Sequence, residues 1–472
     1  MSKSTTSSRK SKANAERKLN RIHFKTSRVL DYLTQKELTA QTGHGPKEWP
    51  LVILKELVDN SLDACEEQGT LPEISVRVDC EGITVTDNGP GIPKTVVENV
   101  LDFNHRISSR EAYVAPDRGA QGNALKTLFC MPFALSGAGG VVVESFNQRH
   151  EISVVVDQIK QSPSIDLKTT RNQFPKGTSI FVNFCPEKAS FANPTKNVGN
   201  LQNCKNSDPN EASFILERSK SRFLQLAQSF VWINPHLSLS IDWFDDKFHW
   251  PRTTESISKW TPSSPTDPHW YCNDDFFRLV AAHINHGTKT IREFVAEFKG
   301  FSSTRKTSSV LQEAGFHRQP FKHLVRQNEI DKEKCLRLLK AMKKATKPTN
   351  PLLLGEIGKL HFESRFSHAG ADMDSFKYKR VARLQDNVPF VIESAFSYLP
   401  NHESRHSIFG VNWSPGIQNP FRQLGESGPS LEGLLGSRYL GQDEPILFVL
   451  HVISPRIRFA DRGKSTLVLE DA

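Results

Sequence analysis

Nothing in this chain of 472 residues approaches the ~20 consecutive apolar positions that a membrane-spanning helix requires; the best candidate, 446–453, is strand-sized and contains His451. No spanning segment is expected. The N-terminal stretch is rich in Ser and Lys and holds no apolar core of the kind a secretory signal needs. Cysteine is sparse. The seven residues Cys65, Cys80, Cys130, Cys185, Cys204, Cys272 and Cys335 form no C-x-x-C pair, which excludes a paired-thiolate zinc site and points to reduced thiols in a cytoplasmic compartment. Histidines show no clustered metal spacing, and no G-x-x-x-x-G-K-[ST] phosphate loop occurs.

What is present is a basic balance: 61 Lys and Arg against 52 Asp and Glu give a formal charge of +9. Such a surplus suits polyanionic partners, nucleic acid or nucleotide, and equally suits plain solubility. With 37% hydrophobic and 24% charged residues the chain has the apolar surface to fold, and its length corresponds to about three domains of roughly 150 residues. Residues 1–20 read as a disordered basic tail, in which Lys3, Arg9, Lys10, Lys12, Arg17 and Lys18 face a single acid, Glu16. Residues 188–213, poor in aliphatics, read as a long surface loop. Pro262, Pro265 and Pro268 mark a linker, and Pro348 and Pro351 interrupt a Lys-rich helix. These breaks divide the chain into 21–260, 261–347 and 348–472.

Apolar residues at Ile53, Leu54, Leu57, Val58 and Leu62 predict a helix over 50–67. Alternation predicts strands over 73–78 and 82–86, joined at Glu81-Gly82, and others over 140–145, 150–157 and 178–184. The fold class is therefore α+β, helices layered on an antiparallel sheet. On the first helix Glu56, Asn60 and Asp63 fall in one stripe at about 100° per residue. A carboxylate there can take a proton from water, and an amide oxygen one turn away can bind Mg²⁺; a solvated helix face has the same pattern. The strand after it ends in Asp87-Asn88-Gly89-Pro90-Gly91, an acid able to accept a hydrogen bond from an exocyclic amine such as that of adenine, then glycines that let backbone approach a flat ligand. Arg118-Gly119-Ala120-Gln121-Gly122-Asn123-Ala124-Leu125-Lys126 sets glycines before a helix, where unpaired N–H groups and the helix dipole favour phosphate. Lys126 suits either a phosphate or a solvated helix position. Gly177-Thr178 opens a strand.

In this order the four pieces resemble the GHKL ATPase superfamily, and within it the B subunit of topoisomerase VI. The run from Lys55 to Glu67 and then Leu71-Pro72-Glu73-Ile74 is similar to that family's first motif, and Arg118-Gly119-x-Gln121-Gly122 to its lid. Ile291-Arg292-Glu293-Phe294 and Val310-Leu311-Gln312-Glu313-Ala314-Gly315 resemble its helix-two-turn-helix insert, and 388–393, 409–412 and 451–465 its transducer. Where the family reads Gly-Ile-Gly-Ile after the lid glutamine, this chain has Gly122-Asn123-Ala124-Leu125, closer to MutL-like proteins.

The resemblance implies a GHKL (Bergerat) sandwich, a small helical insert and a transducer-like α/β domain. It implies ATP and Mg²⁺ as cofactors, Glu56 as the base for the attacking water and Asn60 as the Mg²⁺ ligand. Asp87, Gly89, Gly91 and Thr178 would hold adenine; Gly119, Gln121, Gly122, Asn123, Ala124, Leu125 and Lys126 would hold phosphate, with Lys464 reaching the γ-phosphate from the transducer. The activity implied is that of an ATP-dependent homodimeric clamp on double-stranded DNA, part of a type II topoisomerase-like complex with a separate DNA-cleaving A-like subunit. A cytoplasmic, nucleoid-associated protein is implied, nuclear if the source is eukaryotic. Lys299, Arg305, Lys306, Arg318 and Lys322 around the insert suit a DNA backbone or an exposed charged face. The alternative is a stand-alone GHKL switch, MutL-like or defence-type, without strand passage.

Overall fold

The computed structural model describes residues 32–102, 112–119, 124–137, 139–157, 162–183, 211–286, 289–317, 319–327, 329–423, 430–460 and 466–468. The basic tail at 1–20 and most of the loop at 188–213 lie outside these. Thr34 accepts from the Glu37 N–H to start α1 (Gln35–Thr42), which ends at Gly43 in the left-handed region. Pro50 sits in the first turn of α2 (Trp49–Glu67), where its missing N–H costs nothing. Then come β1 (Glu73–Val78), β2 (Gly82–Asp87), α3 (Lys94–Val100), α4 (Ala124–Ser136), β3 (Gly140–Ser145), β4 (Gln148–Asp157), β5 (Ser162–Arg171), β6 (Thr178–Asn183), α5 (Glu211–Ile233), β7 (Ser238–Trp243) and β8 (Asp246–Trp250).

The eight strands form one sheet in the order β5-β4-β3-β6-β2-β1-β7-β8. Its pairs are antiparallel except β1 with β7, which run parallel, a departure from the all-antiparallel expectation. The chain can make that pairing because α5 carries it back across the sheet between β6 and β7. Alternate residues of β1, Ile74, Val76 and Val78, turn inward to a core closed by α2, α4 and α5. Strand β5 gives no sequence signal. It is an edge strand with polar residues at most positions, so alternation has little to show. Helix α2 differs more: in place of a solvated face, it exposes only Asn60 and Glu67.

The second half continues with α6 (Asn273–His286), α7 (Ile291–Ala296), α8 (Thr304–Glu313), β9 (Val325–Arg326), β10 (Glu329–Ile330) and α9 (Lys332–Ala345). Thr290 and Glu293 close a capping box on α7, and Phe294 meets Phe298 and Phe321 edge-on in the helical core. Last come α10 (Lys359–His368), β11 (Lys377–Gln385), β12 (Val388–Tyr398), β13 (His406–Val411), β14 (Ser414–Pro415), α11 (Leu431–Gly436), β15 (Ile446–Ile453), β16 (Arg458–Phe459) and β17 (Leu467–Val468). The five-stranded sheet runs β11-β12-β15-β13-β14, with β13 and β15 parallel. Helices α6–α10 and one face of this sheet share a single hydrophobic cluster, which also takes in Trp232 and Ile233 from the end of α5.

Two expectations change. The proline-marked stretch at 261–269 is a packed strap: Asp267 is buried, caps the Pro268–Trp270 turn and accepts from the Thr349 hydroxyl at 2.5 Å. Prolines stiffen it, and Pro268 and Trp270 give it an apolar side to bury. Cys80 is disulfide-bonded to a cysteine outside the described residues, while Cys65, Cys130, Cys272 and Cys335 are free thiols. Among the described residues no helix is long and apolar enough to cross a membrane.

His361 joins the two halves. Its Nε2 donates to the Trp232 carbonyl at 3.0 Å, so Nδ1 is the acceptor for the Thr253 hydroxyl at 2.5 Å and the ring is neutral. Burial pushes its pKa down from 6.5 to about 3. Burial likewise lowers His451. Between about 3 and 6.5 the unfolded chain binds a proton at His361 that the folded chain refuses, so this stability is complete above pH 6.5 and lost as the pH falls. The melting temperature is expected to drop on acidification below 6.5. His361→Phe should reduce the pH slope of unfolding free energy by about one proton. Urea titrations at several pH values measure this, and an unchanged slope would contradict it.

Candidate functional site

Helix α2 divides its polar residues between two flanks. Asp59, Asp63 and Glu66 lie on one, Glu56 and Asn60 on the other, and the ridge between them falls close to Glu56. Asp63, grouped by spacing with Glu56 and Asn60, belongs to the first flank: Arg118 crosses two turns along from Glu56 and takes its carboxylate at 2.7 Å. Arg118 is 2% exposed at its side chain. Its Nη1 and Nη2 also hold both Glu66 oxygens at 2.7 and 2.6 Å, Nη2 donates to Asn234 at 2.7 Å, and Nε donates to the Trp413 carbonyl at 3.1 Å. Lys259 reaches Glu66 at 2.7 Å, and Lys55 reaches Asp59 at 2.7 Å and the Ser414 hydroxyl at 2.5 Å.

Three acids thus face three cations in a buried space, and the cluster is neutral. Despite desolvation, Arg118 and Lys259 hold the Glu66 carboxyl well below the ordinary carboxylate range. Burial brings Lys259 down to about 8, and His236 is lowered by burial too. Because Glu66 is ionised and only accepts, neutral His236 donates Nε2–H to it at 2.8 Å.

The other flank leads to the end of β2. Steps of four turn a helix by about 40°, so Glu56, Asn60 and Ala64 succeed one another along one side over about 12 Å. A Cβ built on Gly89 would lie 3.7 Å from the Ala64 Cβ and 3.2 Å from the Cys65 Sγ, so this side of α2 rests against the glycine turn. Asp87 is 9% exposed. Its Oδ1 accepts from the Gly89 and Thr178 N–H groups at 2.9 and 3.1 Å, its Oδ2 from the Ser61 hydroxyl at 2.9 Å. Burial raises its pKa; those three bonds oppose the rise without cancelling it, and the net direction is upward. They also leave acceptor capacity on Oδ2. Gly91, at φ +92, would press a Cβ to 2.6 Å of the Ser145 hydroxyl, and Gly177, at φ +84, to 2.0 Å of the Asp87 carbonyl. Ser145 is fully buried, accepts from the Ile92 N–H and donates to the Gly177 carbonyl. Ser61 and Ser145 carry no sequence signal of their own, since a lone serine has no pattern.

Among the described residues, Glu56 and Asn60 have neither a hydrogen-bond nor an ion-pair partner, whereas Lys55, Asp59, Asp63, Glu66 and Glu67 are all engaged. Thr178 lies opposite Asp87 across the β2–β6 ladder. Gly119 is exposed, one position after buried Arg118, and α4 begins with Ala124 and half-buried Leu125. Lys126 is neither solvated nor free: it is 2% exposed and its ammonium donates to the Asp102 carbonyl at 2.5 Å. Gln121, Gly122, Asn123 and Lys464 lie outside the described residues. The strands that bracket Lys464, β16 and β17, pair as a hairpin, and Phe459 of β16 lines a cleft with Lys55 and Arg118.

Residues 47–188 match the family described as histidine kinase-, DNA gyrase B- and HSP90-like ATPase. The chain is similar to the B subunit of type 2 DNA topoisomerase 6 from Archaeoglobus fulgidus, 26% identical over 280 residues, 57% of this chain and 41% of that protein. With its counterpart from Methanosarcina acetivorans it shares 22% over 440 residues, 88% of this chain and 64% of the relative. With that from Pyrococcus abyssi it shares 32% over 162 residues, 33% and 28% of the two. The chain therefore spans less than two thirds of these relatives. Among solved structures, the ATPase region of Saccharomyces cerevisiae topoisomerase II covers 89% of this chain and 77% of its own at 10% identity, with a TM-score of 0.38, too distant to bear on any residue.

Gly177→Ala tests the corner at Asp87. The new Cβ would meet backbone that cannot swing aside, in a left-handed conformation, and about 1–3 kcal/mol of stability is expected to be lost. Denaturant unfolding measures it; a variant as stable as the parent would show that β6 does not approach Asp87 this closely.

Proposed function

Because residues 47–188 are a domain of the histidine kinase-, DNA gyrase B- and HSP90-like ATPase family, we propose that this chain binds and hydrolyses ATP, with α2 and the end of β2 as the two walls of its site. The observation that carries the proposal is the one free carboxylate and amide among the described polar residues of an otherwise committed helix, Glu56 and Asn60, on the side that leads to Asp87. In this reading the vacant acceptor capacity of Asp87 takes the adenine amine, a donor matched to a carboxylate. Gly89, Gly91 and Thr178 admit the flat ring, and Ser61 keeps Asp87 oriented.

The distance of about 12 Å along α2 from Ala64 to Glu56 then separates purine from terminal phosphate. Glu56 accepts the proton of the attacking water, a role open to it because no cation among the described residues neutralises it. Asn60 offers an amide oxygen to Mg²⁺, a cation that keeps most of its waters and asks few ligands of a protein. Mg²⁺ bound with the nucleotide supplies charge neutralisation on the phosphates. Gly119 and the start of α4 supply N–H groups toward phosphate. Gln121, Gly122, Asn123 and Lys464 complete the set that the family resemblance assigns, and Lys126 orders the start of α4 through Asp102.

The relatives' names extend the proposal: an ATPase arm that dimerises on double-stranded DNA and serves a separate DNA-cleaving A-like subunit, acting wherever the cell keeps its DNA. The division into 21–260, 261–347 and 348–472 belongs to the same proposal. Glu56→Ala is expected to lower kcat for ATP by about 10²–10⁴-fold with binding retained, and Asp87→Ala to abolish binding of a fluorescent ATP analogue. DNA should stimulate hydrolysis by the parent chain. Undiminished turnover in Glu56→Ala would refute the assignment of the base.

A further inference from the structure

Arg118 uses every donor it has. Its five guanidinium N–H groups go to Asp63, to both oxygens of Glu66, to Asn234 and to the Trp413 carbonyl. These partners come from α2, from the end of α5 and from the turn between β13 and β14. Trp413 stands at φ 67, after Asn412 at φ 49, a left-handed pair that a bulky indole adopts only under constraint. The constraint is visible. The Trp413 N–H donates to His451 at 3.1 Å, its carbonyl takes Arg118 and Asn234, and Lys259 sits 4.8 Å from the centre of its ring. Beside it Ser414 donates to Asp59 at 2.7 Å and accepts from Lys55.

We propose that Arg118 is a positioning residue that makes α2 and the β13–β14 turn move as one body, so that the state of the Glu56–Asn60 flank is passed to the C-terminal sheet through Trp413. The inference rests on the nucleotide reading of that flank and adds the route by which the rest of the chain senses it. Three features support a transmitting role over a merely stabilising one. A neutral cluster of six buried charges at a junction stabilises no better than apolar packing would, but it tolerates only one mutual placement of its parts. The acids that Arg118 grips are one helical step from the residues proposed to face nucleotide, and a helix does not bend between them. The turn that receives the grip is itself strained, and strain held by external contacts is released when they shift.

The test pairs hydrogen exchange with kinetics. In the parent chain, Mg²⁺ with a non-hydrolysable ATP analogue is expected to change amide exchange over 406–415, far from the proposed purine corner. Arg118→Lys keeps the charge and loses the fork. It should bind the analogue within about threefold of the parent, lose the exchange response at 406–415, and hydrolyse ATP about tenfold more slowly with little change in KM. Asn234→Ala, which removes one donor from the Trp413 carbonyl without altering charge, should weaken the response in the same direction and serves if Arg118→Lys does not fold. A parent chain that binds the analogue with no response at 406–415 overturns this inference alone. So does a folded Arg118→Lys that responds and turns over like the parent. A parent chain that binds no nucleotide overturns the proposed function, and this inference with it.

Discussion

Three carboxylates on one flank of a helix cannot be taken out of water unless three cations come to meet them. Asp59, Asp63 and Glu66 set that requirement, and Lys55, Arg118 and Lys259 satisfy it from α2 itself, from the segment before α4 and from the chain after β8. Leaving any one acid unpaired in a buried space would cost several kcal/mol, roughly 3–5 by analogy with broken buried pairs. The segments that supply the cations therefore have little freedom in where they sit. The tertiary arrangement around α2 is dictated by charge neutrality as much as by the apolar core beneath it.

That rigidity matters for the neighbouring flank. Glu56 and Asn60 project from a helix whose rotation and tilt are fixed by the ion cluster on one side and by the β2 turn on the other. Side chains left without partners on so constrained a helix are preorganised rather than adaptable. At Asp87 the same logic applies at smaller scale: one carboxylate is locked by two backbone N–H groups and a serine, and the glycines around it exist because backbone comes too close for a Cβ.

Much of this is legible in the amino-acid sequence. Periodicity gives α2, β1, β2, β3 and β6 nearly to the residue, since each buries a regular apolar face. The pairing of Glu56 with Asn60 and the Asp87 glycine turn are written in local spacing. Spacing also puts Asp63 on the wrong flank, because it records angle around a helix and not which neighbour arrives there. Arg118 reads as part of a glycine segment, yet its partners Asn234 and Trp413 lie 116 and 295 residues away in sequence. Strand β5 is polar at an edge, and no pattern distinguishes that from a loop. The proline-marked strap at 261–269 shows the converse, a composition that reads as linker in a segment that packs.

Helix α5 spans both hydrophobic clusters. Phe223, Ala227 and Phe230 belong to the core beneath the eight-stranded sheet, while Trp232 and Ile233, at its last turn, are buried among the aromatic residues of the second half. A single shaft thus ends in two different sockets. Any scission of the polypeptide between the proposed ATPase part and the remainder of the chain would strip a tryptophan and an isoleucine of their cover, so the apparent modules are not separable beads but share an axle.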